Sequence, residues 1–412
     1  MSLISDPNGA VTHPKGGAMA RAEHLAPEMK AWRRAFHRRP ERSFHEFETA
    51  ARVASILEAI PGMTVIREFA GTTAVVGRLG TPGPHHVALR ADMDALPIEE
   101  PASDADFFSD TPGLMHACGH DGHMAILLGA AHLIAESLAH GEMAGRVTFI
   151  FQPAEETADA NGNTGAPYLL DAGVLDGVDA LMALHMDPQS PVGTVRLHDG
   201  ACMANVDNFR ARVIGHGGHA GYPNLALDPL WLLIPVLEAV HGIRARRLSP
   251  LDSAAVSVCH IEGGTTNNVI PPYVDLAGTL RSYRDDVREA LTEELRRALS
   301  VSEALGGHYE LSVERCEPAV LNSFGINRVL AGVMQEALHL MPSWTGPFGM
   351  GGEDFGFMSR KVPASLFFLG CADPAGTLTS LHSPDFFLDE RALPIGSAIF
   401  LEAVKAILND GL

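Results

Sequence analysis

The chain has 412 residues, room for two or three domains at about 100–200 residues each. Its 50 Asp and Glu outnumber its 30 Lys and Arg, a formal net charge of −20, which excludes the basic patches that grip nucleic acid or an anionic membrane. Hydrophobic residues make up 46% and charged residues 19%, the balance of a soluble globular protein rather than a disordered one. No uninterrupted apolar run approaches the ~20 residues of a membrane span. The N-terminus lacks the basic start and apolar stretch of a secretory signal. Five widely spaced cysteines, an odd number, fit reduced thiols in a cytoplasm. Histidine stands out, with twenty copies against four lysines (Lys15, Lys30, Lys361 and Lys405).

Residues 1–23, which include Pro7, Pro14, Gly16 and Gly17, read as a flexible tail. Apolar residues at helical spacing over 25–39 predict a helix that Pro40 stops. A second helix is expected over 44–60, ended by Pro61-Gly62. Strands follow at 74–79, 86–91, 147–151 and 180–184, with an Ala/Leu-rich helix over 122–139. Strands alternating with helices indicate an α/β domain with a mostly parallel sheet flanked by helices. The rhythm changes near residue 204. Strands at 208–214, 254–261, 273–281 and 308–315 and helices at 228–246 and 285–305 give the order β-α-β-β-α-β, a ferredoxin-like α+β pattern. Asp228 and Pro229 suit the cap and first turn of the long helix, and Trp231 on that helix reads as core. A helix at 326–340, a Gly-rich loop at 346–356, a strand at 365–369 and a helix at 392–407 then resume the first domain. The expected organisation is a large domain over 24–203 and 316–412 with a smaller one, 204–315, inserted.

In open α/β sheets ligands collect beyond the carboxyl ends of the strands. Here those ends deliver Asp92-Met93-Asp94, Glu155-Glu156 and His185, and the loop after 365–369 carries His382. Before the 122–139 helix lies Met115-His116-Ala117-Cys118-Gly119-His120-Asp121-Gly122-His123. Carboxylate, imidazole and thiolate are transition-metal ligands. Taken singly, Asp92 and Asp94 also read as turn and capping residues, the Glu pair as solvated surface and His185 as a core histidine. Their common edge of one sheet favours a metal site. No G-x-S-x-G or H-E-x-x-H motif is present, and Gly215–Gly221 has the wrong glycine spacing for a dinucleotide loop.

The strings over 89–100, 115–123 and 151–156 resemble the aminoacylase/hippurate hydrolase/auxin-conjugate amidohydrolase family of two-metal enzymes. Further matches are Phe36-His37 to Pro40-Glu41, Gly217-Gly218-His219-Ala220, Asn268-Val269-Ile270-Pro271, Gly278-Thr279-Leu280-Arg281, Gly352-Glu353-Asp354-Phe355 and Leu381-His382-Ser383-Pro384. They run in order over roughly 25–405. The resemblance implies a metal-dependent amidohydrolase of N-acyl-L-amino acids, hippurate-like or N-acetylated. It implies two divalent ions (Zn, Mn, Ni or Co) held by Cys118, His120, Glu156, His185 and His382, with Cys118 bridging. Glu155 would be the general base and Asp94 would support the ligands from behind. His219 would steady the oxyanion in the partner subunit's site, and Asn268 and Arg281 would hold the substrate carboxylate. The inserted domain would be a satellite that dimerises and acts as a lid. Two departures, Asn267 before Asn268 and Ser383 after His382, touch no implied ligand. Three other readings compete. One is a dipeptidase or carboxypeptidase with the same metals, one a hydrolase with Cys118 as nucleophile, and one a non-catalytic metal-binding protein.

Overall fold

The computed structural model describes residues 17–101, 107–377 and 379–412. Of the expected tail, residues 1–16 lie outside the described residues. The rest is a correction, because helix α1 already runs over Ala18–Arg38. Alanines at 18, 20 and 22 favour helix. Arg21 is held by Glu136 at 3.0 Å and Glu142 at 3.3 Å, so this turn is fastened to the protein body.

The chain forms two compact units. The first comprises Met1–Asp199, Asn322–Thr345 and Met358–Leu412; the second comprises Gly200–Leu321 and Gly346–Phe357. In the first unit α1 is followed by α2 (Phe47–Glu58), β1 (Thr64–Phe69), β2 (Ala74–Gly80), β3 (His86–Asp92), α3 (His120–Ala139), β4 (Arg146–Gln152) and β5 (Ala180–Asp187). These strands join Val195–Leu197, Ser343–Trp344 and Ala364–Gly370 in an eight-stranded sheet. Its order is β1-β2-β4-β3-β5, then Ala364–Gly370, Val195–Leu197 and Ser343–Trp344. The central strands β4, β3, β5 and Ala364–Gly370 are mutually parallel, with Asp92 opposite Gln152 and Phe368 opposite His185. β1 and β2 extend the sheet antiparallel. Every residue of β5 and of Ala364–Gly370 is buried, as expected for parallel strands covered on both faces.

α1, α3 and the C-terminal helix Ala392–Asp410 pack together. Gly129 permits the close approach, since a Cβ there would stand 2.4 Å from Met29 Sδ and 2.6 Å from Ser397 Oγ. α3 and the C-terminal helix are long and apolar enough to cross a membrane by length and composition, but 72% of each such window is buried inside the protein. They are core helices.

The second unit has a four-stranded antiparallel sheet, ordered Ala254–Glu262, Tyr273–Ser282, Asn205–Ile214, His308–Arg315. Burial alternates along Tyr273–Ser282, and the inward residues Val274, Leu276 and Leu280 pack on helices Pro229–Arg246 and Asp285–Leu299. Asp228 caps the first of these by accepting from Leu230 N–H at 2.9 Å. Trp231 is not core: it is 50% exposed. The helix buries Leu232, Leu233, Val236 and Val240, which leaves Trp231 and Ile234 on the outer side.

Candidate metal centre

The carboxyl ends of β3, β4 and β5 and the start of α3 place their polar residues together in the first unit. Cys118 Sγ lies 3.4 Å from His185 Nε2. Ligand atoms of Cys118, His120 and Glu156 fall within 4.8 Å of one another. His382 joins them, its Nε2 at 3.3 Å from Glu156 Oε1. The five residues expected as ligands are therefore neighbours, and all but His382 and Glu156 are fully buried.

The hydrogen bonds select which histidine atoms face the centre. His120 Nδ1 lies 2.8 Å from the Asp94 carbonyl oxygen and His185 Nδ1 lies 2.8 Å from that of Met186. A carbonyl only accepts, so each Nδ1 carries a proton, and Nε2 is the atom that offers a lone pair once the imidazole is neutral. His120 Nε2 is buried without a hydrogen-bond partner. An orphaned buried imidazole nitrogen beside a thiol and a carboxylate fits a cation. His123 differs. Its Nδ1 meets Asp92 Oδ1 at 2.7 Å and its Nε2 accepts from Met186 N–H at 3.0 Å, so both nitrogens are used. It positions Asp92 and the end of β5 instead of ligating.

The electrostatics ask for positive charge. Burial alone lowers the His120 pKa, but Asp92, the hydrogen bond to Asp94, and Glu156 outweigh it and push it up to about 10. Burial, then Glu156, Glu155 and Asp92, push the Cys118 thiol well up. Without a cation the site keeps a proton on both. Asp92 stays ionised despite burial because His120, His123 and Arg90 surround it, and Arg90 Nη1 donates to Asp92 Oδ2 at 2.7 Å. Thiolate and imidazole donors with carboxylate suit a divalent transition metal.

Asp94 supports the Glu155-Glu156 turn. Its Oδ1 accepts from Glu155 N–H at 3.1 Å and its Oδ2 from Glu156 N–H at 3.0 Å. Ser43 Oγ donates to the same Oδ2 at 2.6 Å. Ala154 N–H donates to Glu46 Oε1 at 2.9 Å. Sequence reasoning missed Ser43 and Glu46 as site residues, and singled out Asp92 at its strand end without giving it a role.

His219, Asn268 and Arg281 belong to the second unit. His219 and Asn268 are near each other: Gly218–His219 pairs with Val269–Ile270, and Ala220 N–H donates to the Asn268 carbonyl at 3.1 Å. His219 Nδ1 accepts from Gly221 N–H at 2.9 Å, which leaves the proton on Nε2. Arg281 Nη1 donates to the Met350 carbonyl at 2.8 Å.

Residues 88–406 match the family model described as Peptidase family M20/M25/M40. The chain belongs to this family. It is 36% identical to N-acetylcysteine deacetylase of Bacillus subtilis over 92% of this chain and 96% of that protein. It is 35% identical to thermostable carboxypeptidase 2 of Saccharolobus solfataricus over 92% and 96%. Among solved structures it superposes with TM-score 0.82 on the Bacillus subtilis YXEP protein, a dinuclear metal binding peptidase from the M20 family. That match has 32% identity and covers 94% of this chain and 99% of the other. As an M20 member the protein is a metal-dependent hydrolase of amide bonds.

Proposed function

We propose that this M20 hydrolase cleaves the amide bond of N-acyl-L-amino acids, hippurate-like or N-acetylated, releasing a carboxylic acid and an amino acid. The observation that carries the reading is the convergence of Cys118, His120, Glu156, His185 and His382 beside Glu155. These five would hold two divalent ions, Zn, Mn, Ni or Co. When bound, such ions polarise the amide carbonyl and lower the pKa of water.

The rest falls to the chain's own residues. Glu155 takes the proton of the attacking water and passes it to the amine nitrogen, which leaves poorly unless protonated. His219, with its proton on Nε2, donates to the oxyanion from the partner subunit. Arg281 keeps Nε and Nη2 for a fork on the substrate carboxylate, with Asn268 as a second donor. This division of labour requires a dimer, built through the second unit.

A second reading, a carboxypeptidase or dipeptidase with the same metals, has the similarity to the Saccharolobus carboxypeptidase in its favour. A panel of N-acetyl-amino acids, hippurate and Gly-Phe with product mass spectrometry separates the two. Chelation should abolish turnover and a divalent ion restore it. Glu155→Gln should retain metal and lose turnover by about 10²-fold or more. Full activity of chelated protein, or of Glu155→Gln, defeats the proposal.

A further inference from the structure

Three consecutive amides of the turn that carries the base and a ligand donate to two buried carboxylates from elsewhere in the chain. Asp94 takes those of Glu155 and Glu156, and Glu46 takes that of Ala154. Glu46 sits just before α2, more than a hundred residues earlier, in the part of the His37–Glu41 neighbourhood to which the mechanism gives no role. It is fully buried. Its Oε2 accepts from Thr73 Oγ1 and its Oε1 also accepts from Phe44 N–H at 3.0 Å. Every one of these partners is a neutral donor, and among the described residues no cationic side chain pairs with it. Burial, then the nearby Asp94, push its pKa up to about 7, and an acidic group so buried is costly if packing is its only task.

The turn explains the cost. Ala154 has φ +52°, the left-handed region that a residue with a Cβ adopts only when its surroundings enforce it. It is completely buried, and its carbonyl accepts from Gly165 N–H at 2.8 Å. With both its N–H and its carbonyl tied, the peptide that precedes Glu155 has one orientation. That orientation sets the direction in which Glu155 and Glu156 leave the backbone. A one-ångström misplacement of such groups costs about 10²-fold in rate.

We propose that Glu46 is a positioning residue for the hydrolysis, fixing Glu155 and Glu156 through the Ala154 N–H. The proposal rests on the roles given to those two residues above. Among the described residues the hydrogen bonds of Glu46 run to Phe44, Thr73 and Ala154 and to no proposed ligand side chain, so its effect passes through the backbone.

The test compares Glu46→Ala, which removes the acceptor, with Glu46→Gln, which keeps Oε1 for Ala154 and Phe44 and offers an amide to the Thr73 hydroxyl. Two measurements are made at a temperature well below unfolding. In metal-free protein, hydrogen exchange is followed in the peptide covering 149–158. In the holoenzyme, kcat and KM are taken on the substrate panel. Glu46→Ala should lose exchange protection at 154–156 and about 10²-fold in kcat, with KM within about threefold. Glu46→Gln should restore both to within about threefold. Wild-type exchange and kcat in folded Glu46→Ala overturn the proposal. So does a loss in kcat that vanishes once activity is normalised to the folded fraction, or a Glu46→Gln no better than Glu46→Ala. If Glu46→Ala does not fold, Thr73→Val replaces it, with smaller losses expected in both measurements and unchanged values counting against the proposal. Failure of the roles themselves shows elsewhere, as full turnover by Glu155→Gln or no turnover by wild type. The exchange result then still decides whether Glu46 orders the turn.

Discussion

Gly119 separates two proposed ligands, Cys118 and His120, and adopts φ +90° as the residue preceding α3. Its carbonyl accepts from Gly122 and His123 N–H at 2.9 and 3.0 Å, so the turn is bonded into the helix start. A Cβ added there would stand 3.2 Å from Met186 Cβ and Cγ and 3.3 Å from Phe386 Cζ, closer than ordinary contact. Gly119→Ala therefore meets backbone strain of about 1–2 kcal/mol for an L-residue in the left-handed region. Little space is available to relieve it. In the metal-free variant the strain would be relieved by rotating Cys118 and His120 away from their positions, and metal binding would have to force them back. If the strain is paid on binding, a tenfold change per 1.4 kcal/mol predicts affinity weaker by about 5- to 30-fold. Competition with a chromogenic chelator, using Co or Zn, measures it directly. Metal affinity within about twofold of wild type would refute the claim that this glycine holds the two ligands in place.

Loading metal-free protein at pH 7.5 should release at least two protons, one from His120 and one from Cys118, with a further fraction from His382, whose pKa its hydrogen bond to Glu156 raises. Calorimetry in buffers of different ionisation enthalpy counts them, and no release would show that the site is not charged as described. The His37 pKa is lowered by burial but raised more by its hydrogen bonds to Asp121 and Glu100, so it ends above 6.5. Its contribution to stability is complete below pH 6.5 and is lost as pH rises through the folded-state value. The Tm difference between wild type and His37→Gln should thus shrink from pH 6 to pH 9, and a constant difference argues against it. Gly129→Ala forces Met29 and Ser397 aside and should cost about 1–2 kcal/mol, seen as a lower Tm.

The central strands were legible because strands covered on both faces are short apolar runs that end abruptly in polar residues. Phe149-Ile150-Phe151 before Gln152 is one such end, and Leu184 before His185 another. That same abruptness exposed Glu155, Glu156 and His185 as candidates. β1 was not legible. It is an outer antiparallel strand whose Arg67 and Glu68 face solvent, so Thr64–Phe69 has no apolar run to show. Trp231 was misread because Pro229–Arg246 is apolar on more than one side, and composition cannot say which side meets the sheet. Ser43 and Glu46 reach the site only through contacts spanning 51 and 108 positions in the chain. Nothing in local spacing separates such a buried carboxylate from a helix-capping one. The histidine surplus likewise says nothing of tautomers. His120 and His123 lie on the same turn of α3, and only their partners at Asp94, Asp92 and Met186 give them different roles.

The strand order bears on how the protein is made. Ala364–Gly370 sits between β5 and Val195–Leu197, so the middle of the large sheet has a gap until a strand near the end of translation is inserted. His382 follows that strand, whereas Cys118 and His120 emerge some 260 residues earlier. The second unit, drawn mostly from the continuous stretch Gly200–Leu321, has its four strands and two long helices complete before then. At residue 350 the four strands and two long helices of the small unit have been made, its last stretch Gly346–Phe357 is not yet complete, and the large sheet still lacks Ala364–Gly370. With the ligands proposed above, the set is complete only once His382 has been made, and the apolar edge of β5 stays uncovered from its own synthesis until Ala364–Gly370 is added.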